Sequence, residues 1–434
     1  MDLRAADGVA LRFHEYIEHL SEAVGHADRR VPLAEYCAGL LLPGERKSVE
    51  PMAARVAPAE VGAKHQSLHH FVAKAPWDEA ELLASVRAFV LPVMAKTAPI
   101  RAWIIDDTGI PKKGKHSVGV ARQYCGELGK QDNCQVAVTL SVASDHASLP
   151  IAFQLYLPQA WADDPERRAK VGVPDAIAFQ TKPKIALDQI RQAVDDGLPD
   201  GIVLADAGYG NDTAFRTALT EMGLVYAVGV QGSTAVWAPG TAPLPKKKWS
   251  GQGRPTTRLR RDDETKPLSA KALAQSLPKK AWKTVTWREG TKGALTSRFA
   301  AVRVRPSHRD TLRSEPWPEE WLLIEWPDGD KEPLKCWLST LPADTPMAVL
   351  VDTTKLRWRI ERDFQDLKQE IGLDHYEGRG WRGFHHHAAL SIAAYGFLVA
   401  ERSPIPPSAV LIRALGRKLP AQAKDWRPRG AATT

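Results

Sequence analysis

The sequence predicts an α/β fold: a mixed sheet with flanking helices, interrupted by a β-rich insertion and preceded by a helical N-terminal domain. Three observations carry this expectation. Residues 1–98 bear apolar side chains at helical spacings of three and four. Residues 102–230 alternate short apolar or β-branched runs with amphipathic stretches, the pattern of strands packed under helices. Residues 238–336 turn to Pro, Gly, Lys, Arg and Trp, with only short strand-like runs.

In chain order, LRFHEYIEHLSEAVG and EAELLASVRAFVLPVMAK read as helices, and Pro43-Gly44 breaks the segment between them. The domain over 1–98 is either a plain packing unit or one that presents a helix to a DNA groove. The first α/β segment, 99–237, begins with AWIIDDTG, an apolar run closing in acids and a turn. CQVAVTLSVAS and LPIAFQLYLP follow as strands, KIALDQIRQAVDD as a helix and GIVLADAGYG as a buried strand. DTAFRTALTEMG and VYAVGVQ add a helix and a strand. The insertion over 238–336 holds WKTVTWRE, SRFAAVRVRP and EWLLIEWP as strands. The second α/β segment, 337–401, resumes with PLKCWLSTL and a helix expected from about 348 through Gln369. The tail, 402–434, carries Pro404, Pro406 and Pro407, room for a short helix and a basic disordered end.

The chain of 434 residues has 44% hydrophobic and 25% charged residues, an ordinary balance for a chain that buries a core. Its 59 Lys and Arg against 51 Asp and Glu give a net charge of +8, which favours polyanionic partners. Cys37, Cys125, Cys134 and Cys336 fit neither a disulfide framework nor paired zinc spacing, and are expected as reduced thiols in a cytoplasmic protein. The first residues lack the apolar core of a signal peptide. The longest apolar run, AALSIAAYGFLVA, falls short of the ~20 residues that span a bilayer. It is expected as a buried helix, with no membrane partner.

Two aspartates close apolar strands: Asp107, beside Asp106, and Asp206, before the Gly208 and Gly210 turn. Ligands collect at the carboxyl ends of strands in open α/β sheets, so acids 99 residues apart (206 − 107) can share one site. Carboxylate oxygens suit hard cations such as Mg²⁺ or Mn²⁺, and two such ions promote in-line phosphoryl displacement. Each Asp alone is equally at home as a turn residue or helix cap. In KLRWRIERDFQDLKQEIG, Arg357, Glu361 and Lys368 fall at i, i+4 and i+11, within a modest angle on one helix. That spacing serves either a metal-holding carboxylate between phosphate-gripping cations or a surface salt-bridge ladder.

These segments resemble the DDE-superfamily insertion-sequence transposases, in the group of the Tn-five and IS-seven-oh-one transposases. The resemblance runs through IIDDTGIPKKGKHSVGVARQYCGELGKQDNCQVAV, VLADAGYG and LRWRIERDFQDLKQEIGLDHYEGR. The last carries the group's signature of Arg, three residues, Glu, six residues, Lys, filled by Arg357, Glu361 and Lys368. The signature's Tyr, three residues before the Arg, is Thr354 here, a hydroxyl able to reach a phosphate without a ring. The resemblance implies a ribonuclease H-like catalytic domain. It implies Asp107, Asp206 and Glu361 as the catalytic ligands of two Mg²⁺ or Mn²⁺ ions, with Asp106 on the opposite strand face. It implies cleavage of the ends of an insertion sequence and their joining to target DNA. The partner is then double-stranded DNA, the active form a homodimer on paired ends, and the setting the bacterial cytoplasm, at the nucleoid. A DNA-binding protein that no longer cuts, or a nuclease of the same fold without strand transfer, are the alternatives.

Further DNA contacts are expected from basic segments. KKKWSGQGRPTTRLRR holds Lys246, Lys247, Lys248, Arg254, Arg258, Arg260 and Arg261 around Trp249 and no acid. Lys113 and Lys115 follow the first Asp directly. The resemblance implies that the insertion supplies an aromatic ring to a flipped base, with Trp337 a candidate. His385, His386 and His387, consecutive on a helix, point in different directions and are expected at a polar rim near DNA.

Overall fold

The computed structural model describes residues 3–254, 256–290 and 293–403; the expectations for the tail beyond Ser403 lie outside the described residues. The N-terminal segment is helical: α1 (Leu3–Ser21), α2 (Arg30–Leu41), α3 (Val49–Val56), α4 (Val61–Ala73) and α5 (Glu79–Thr97). The start of α5 shows why: Asp78 caps it by accepting the Ala80 N–H at 2.7 Å, and Glu79 and Glu81 sit where the helix dipole favours acids.

The chain continues through β1 (Ala102–Pro111), β2 (Ala121–Cys125), β3 (Lys130–Ala143), β4 (Ser148–Leu155), α6 (Gln159–Ala162), α7 (Pro165–Val171) and α8 (Lys182–Asp195). Next come β5 (Ile202–Ala205), α9 (Ala207–Gly210), α10 (Thr213–Glu221), β6 (Tyr226–Val230), β7 (Ala235–Trp237), β8 (Leu268–Ser269) and α11 (Ala270–Ser276). The remaining elements are β9 (Lys283–Gly290), β10 (Gly293–Pro306), β11 (Glu320–Glu325), β12 (Lys335–Ser339), α12 (Met347–Lys355), α13 (Trp358–Asp366), a π-helical turn (Leu367–Ile371) and α14 (Trp381–Arg402). The architecture is mixed α/β, with parallel and antiparallel pairings.

The chain forms two units. Among the described residues, one comprises 3–101, 106–193 and 359–403; the other comprises 102–105 and 194–358. In the first, β3 pairs antiparallel with β2 (Tyr124 opposite Gln131) and with β4 (Leu140 opposite Ala152). Residues 134–143 of β3 are buried without alternation, the pattern of a strand covered on both faces. Gln189 of α8 donates to the Val138 carbonyl at 3.0 Å. At the centre lies α14, packed on α2, α4, α5 and β4 and buried along most of its length, as its unbroken apolar run requires. Each fully buried Leu, Ile or Phe there contributes roughly 1.5–3 kcal/mol. Among the described residues, no helix is long and apolar enough to cross a membrane.

In the second unit, the first residues of β1 run parallel to β5 (Ile104 opposite Leu204), and β5 runs parallel to β6 (Leu204 opposite Ala227). The order continues antiparallel through β12, β11, β10, β7 and β8, with β9 on β10. Phe299, Leu323, Trp337, Leu350 and Val351 form a core beneath α12.

The single helix expected over 348–369 is three pieces. Its ladder is interrupted at Leu356, whose N–H is shared between the carbonyls of Asp352 (3.0 Å) and Thr353 (3.2 Å). The final turn widens to π geometry and ends at Gly372, whose φ of +85° suits glycine. The β2–β3 hairpin was not anticipated, because ARQYC buries only its Cys and shows no apolar alternation.

Candidate nucleic-acid and metal site

Asp107 lies within β1 in the first unit and does not close the strand as expected, since β1 runs on to Pro111; its Oδ2 forms an ion pair with the Lys182 ammonium at the start of α8. Both side chains are about a quarter exposed, at 25% and 30%. The neighbouring Asp106 turns back locally, its Oδ1 accepting the Asp107 N–H at 2.9 Å. Lys182 is a component that sequence reading missed. Nothing in FQTKPKIALD signals a partner 75 residues upstream.

Glu361 falls in the first turn of α13, where a carboxylate suits the helix dipole, and it is exposed. The helix is fixed by its opposite face. Ile360 and Phe364 are buried, and Asp363 Oδ1 accepts hydrogen bonds from Ser148 Oγ (2.6 Å) and Tyr395 OH (2.9 Å). Burial pushes the Asp363 carboxyl up to about 7, so its proton is held more tightly than in water. The following turn is fastened twice. Lys47, itself buried, donates to the carbonyls of Leu40 and Glu370, the latter at 2.5 Å, and desolvation lowers its ammonium to about 8. Lys368 donates to the Gly109 carbonyl of β1 and to Glu127 Oε2, each at 2.6 Å. The signature lysine thus ties the turn after the Glu helix to the strand that carries Asp107. Arg357 lies in the turn before α13 and not on its face, so one continuous helix face does not hold the three signature residues.

In the second unit, Asp206 caps α9, its Oδ1 accepting the Gly208 N–H at 2.8 Å. Close packing explains the glycines around it. A Cβ on Gly229 of β6 would stand 2.9 Å from the Ala207 nitrogen, and a Cβ on Gly208 would stand 3.0 Å from Asp206 Oδ1. The tight turn fixes the aspartate backbone against β6.

Among the described residues, no group of three or more His, Cys, Asp or Glu side chains is gathered as a metal site. The donor types nonetheless fit a hard divalent cation. Asp107 already holds one cationic partner, and the three acids offer only carboxylate oxygen.

The basic expectations divide. Lys113 and Lys115 are exposed on the loop after β1, pinned by Asn133 Nδ2 donating to the Gly114 carbonyl at 2.9 Å. Lys246, Lys247, Lys248, Arg254 and Arg258 are exposed, and so is Trp249. Arg260 is partly tied down, its Nε donating to the Pro245 carbonyl at 3.0 Å.

Four expectations are corrected. Arg261 is committed within the protein: its Nη2 bonds Asp310 Oδ1 and the Ser307 carbonyl, each at 2.6 Å, and neutralises a carboxylate that Trp237 Nε1 also serves at 2.7 Å. Thr354 is buried, and its hydroxyl donates back to the Leu350 and Val351 carbonyls at 3.0 Å, as helical threonines do. Trp337 is paired in β12 within the core, with the Lys355 ammonium 5.5 Å from its ring, so it is not available to a base.

The three histidines are core residues and not a polar rim. His385 bonds the Trp381 carbonyl and the Leu155 N–H, His386 the Val72 and Trp77 carbonyls, and His387 Tyr36 OH and the Gly372 carbonyl. Burial lowers all three to about 4.

Comparison with known proteins adds to this geometry. Over residues 19–294 the chain matches the family described as DDE superfamily endonuclease. Over 169 residues it is 36% identical to the probable transposase for insertion sequence element IS701 of Microchaete diplosiphon. That match covers 39% of this chain and 41% of the relative, so the chain spans about two fifths of the length of this curated relative. It is also similar to a cryo-EM structure of the piggyBac transposase synaptic complex with hairpin DNA, at a TM-score of 0.42 and 9% identity, over 90% of this chain and 70% of that one. The family match takes in well over half of the 434 residues and includes both Asp107 and Asp206. The chain belongs to the DDE superfamily endonucleases.

Proposed function

We propose that the protein is a DNA transposase, cleaving the ends of an insertion sequence and joining them to target DNA by phosphoryl transfer. One observation supports this most. β1 and β5 run parallel with Ile104 opposite Leu204, and each strand continues within three residues into its aspartate, Asp107 or Asp206. Ligands collect at the carboxyl ends of strands, where Asp206 stands just past β5, and Asp107 lies three residues beyond Ile104 on β1, which runs on to Pro111. Membership of the endonuclease family and the likeness to a probable insertion-sequence transposase support the same reading.

On this reading the core over 99–237 and 337–401 is ribonuclease H-like, the 238–336 segment is an insertion, and 1–98 is a DNA-binding domain. Asp107, Asp206 and Glu361 would hold two Mg²⁺ or Mn²⁺ ions, which when bound supply charge stabilisation for phosphoryl displacement. The chain's own residues position this chemistry. Asp363 locks the Glu helix, and Lys368 ties the following turn to β1. Lys113, Lys115, Lys246, Lys247, Lys248, Arg254 and Arg258 meet the backbone of double-stranded DNA, Trp249 stacks among them, and Arg357 serves a flanking phosphate. Two ends must be joined together, so a homodimer on paired ends is the active form, working at the nucleoid in the bacterial cytoplasm.

The test places the gene with its native flanks on a supercoiled plasmid and adds purified protein with Mg²⁺ or Mn²⁺. Wild type is expected to cut at defined flanks and give joined product, whereas Glu361→Gln binds the flanks without cutting. Cutting without joining replaces the proposal with a nuclease; tight binding without cutting by wild type replaces it with a DNA-binding protein.

A further inference from the structure

We infer that the β2–β3 hairpin is a DNA-end surface on which Tyr124 stacks an unpaired base while Lys113, Lys115 and Arg122 hold the flanking phosphates. The inference rests on the transposase reading and assigns that site a feature outside the signature residues.

Tyr124 is the most exposed large hydrophobic among the described residues, at 60%. It faces outward from β2, directly opposite Gln131. Arg122, two residues earlier and exposed, shares its face, because side chains alternate along a strand. Arg122 stands opposite Asn133, and Asn133 is the residue that pins the Lys113–Lys115 loop through the Gly114 carbonyl. The backbone pairs there too, Lys112 N–H donating to the Asn133 carbonyl at 2.9 Å. An exposed ring therefore shares its strand face with Arg122, and the loop carrying the exposed Lys113 and Lys115 is bonded to the same ladder.

The hairpin is buried on one side along its length, from Cys134 to Cys125 beside the turn. Cys125, Cys134 and Val136 form a small buried cluster, whereas the turn residues 126–130 are exposed. Its place relative to Asp107 is set by two contacts. A Cβ on Gly109, two residues past Asp107, would lie 2.8 Å from Cys125 Sγ, so β1 passes close against β2 where the hairpin turns. Lys368 bonds the Gly109 carbonyl and Glu127 of the hairpin turn together. The ring thus projects from a platform fastened both to the Asp107 strand and to the turn after the Glu361 helix.

Charge identifies the occupant as nucleic acid and not a protein face. The hairpin's acids are paired, Glu127 by Lys368 and Asp132 by Lys130 at 3.0 Å with Arg122 nearby, so that Arg122, Lys113 and Lys115 set the charge around the Tyr124 ring, with Leu128 the hairpin's other exposed apolar side chain. Cations tracking a backbone beside an aromatic ring are what unpaired nucleotides require, since every base offers a π-face. A nick close to a DNA end lets the terminal pairs beside the scissile phosphate fray, which is where an unpaired base becomes available to such a ring.

The experiment uses full-length wild type, Tyr124→Ala and Tyr124→Phe with two labelled duplexes taken from the gene's flanks. One is fully paired; the other carries an unpaired 2-aminopurine at the end. The expected result is that wild type and Tyr124→Phe quench the 2-aminopurine and prefer the unpaired end. Tyr124→Ala loses the quenching and binds that end roughly tenfold more weakly, with little change on the paired duplex. Unchanged thermal melting shows that the exposed substitution leaves the fold intact. If Tyr124→Ala matches wild type on both duplexes while wild type still cuts the plasmid, the hairpin assignment falls and the transposase reading stands. If Tyr124→Ala alters only sedimentation, the face is a contact between copies of this chain and the assignment also falls. If wild type neither binds nor cuts the flanks, both readings fall together.

Discussion

At the residue scale, the most consequential contact is the Lys182–Asp107 ion pair, which occupies an oxygen proposed to bind metal. An ammonium and a divalent cation compete for the same carboxylate, and both side chains are partly open to solvent, so the competition is moderate. Replacing Lys182 by Met is expected to shift the Mn²⁺ titration midpoint several-fold lower, measured by calorimetry on DNA-free protein. A midpoint identical to wild type would remove Lys182 as a competitor. The sequence placed both acids after apolar runs, which holds for Asp206 just past β5, whereas β1 carries on through Asp107 to Pro111 because TGIP pairs on in extended form. Lys182 was not legible there, since its pairing depends on where α8 starts relative to β1. Thr354 was misread for the converse reason: a hydroxyl in a motif position looks available until its helix supplies two carbonyls to it.

At the scale of elements, the apolar run in α14 was legible because thirteen near-continuous apolar residues have no place but a core. The histidines that precede it were not, because periodicity gives the direction of a side chain without its partner. Their partners fix opposite tautomers. His385 donates from Nδ1 to the Trp381 carbonyl and accepts the Leu155 N–H at Nε2, whereas His387 donates from Nε2 to the Gly372 carbonyl and accepts Tyr36 OH at Nδ1. His385 and His387 are each satisfied only when neutral, and a second proton would break one bond in each, whereas both nitrogens of His386 face carbonyls. In the unfolded chain these rings take up a proton near 6.5, but in the fold not until about 4. Between those values the unfolded state binds more protons, so stability falls as pH drops from about 6.5 toward 4. The melting temperature is expected to decline steeply across that window. His387→Gln, which keeps a donor and an acceptor without titrating, should show a shallower decline, and a slope parallel to wild type would refute the assignment. The divided helix over 347–371 marks the limit of pattern reading, because the break depends on which carbonyls Leu356 reaches and not on any Gly or Pro.

At the scale of the whole molecule, a net charge of +8 is modest, and its distribution decides what it does. Much of the cationic charge is spent internally: Arg261 on Asp310, Lys355 on Glu325, Lys368 on Glu127. The exposed run Lys246-Lys247-Lys248 is different, since it adjoins no acid in sequence and lies open to solvent. Charges of that kind bind phosphate by releasing counterions, which makes affinity fall steeply with salt, by about 0.9 in log–log slope for each phosphate neutralised. Charges already paired inside the fold add nothing to that slope. Changing all three lysines to Gln is therefore expected to weaken binding to flank DNA uniformly across sequences and to reduce the salt slope by up to about 3. Fluorescence anisotropy between 50 and 200 mM salt reads both quantities, with Arg261→Gln as the contrasting variant. Arg261→Gln should lower the melting temperature, because it strips a buried carboxylate of its partner, and leave the slope of the folded protein unchanged. The opposite pattern, a slope that falls with Arg261 and stays fixed without the lysines, would mean that the insertion meets DNA through its packed face and not through its open basic loop.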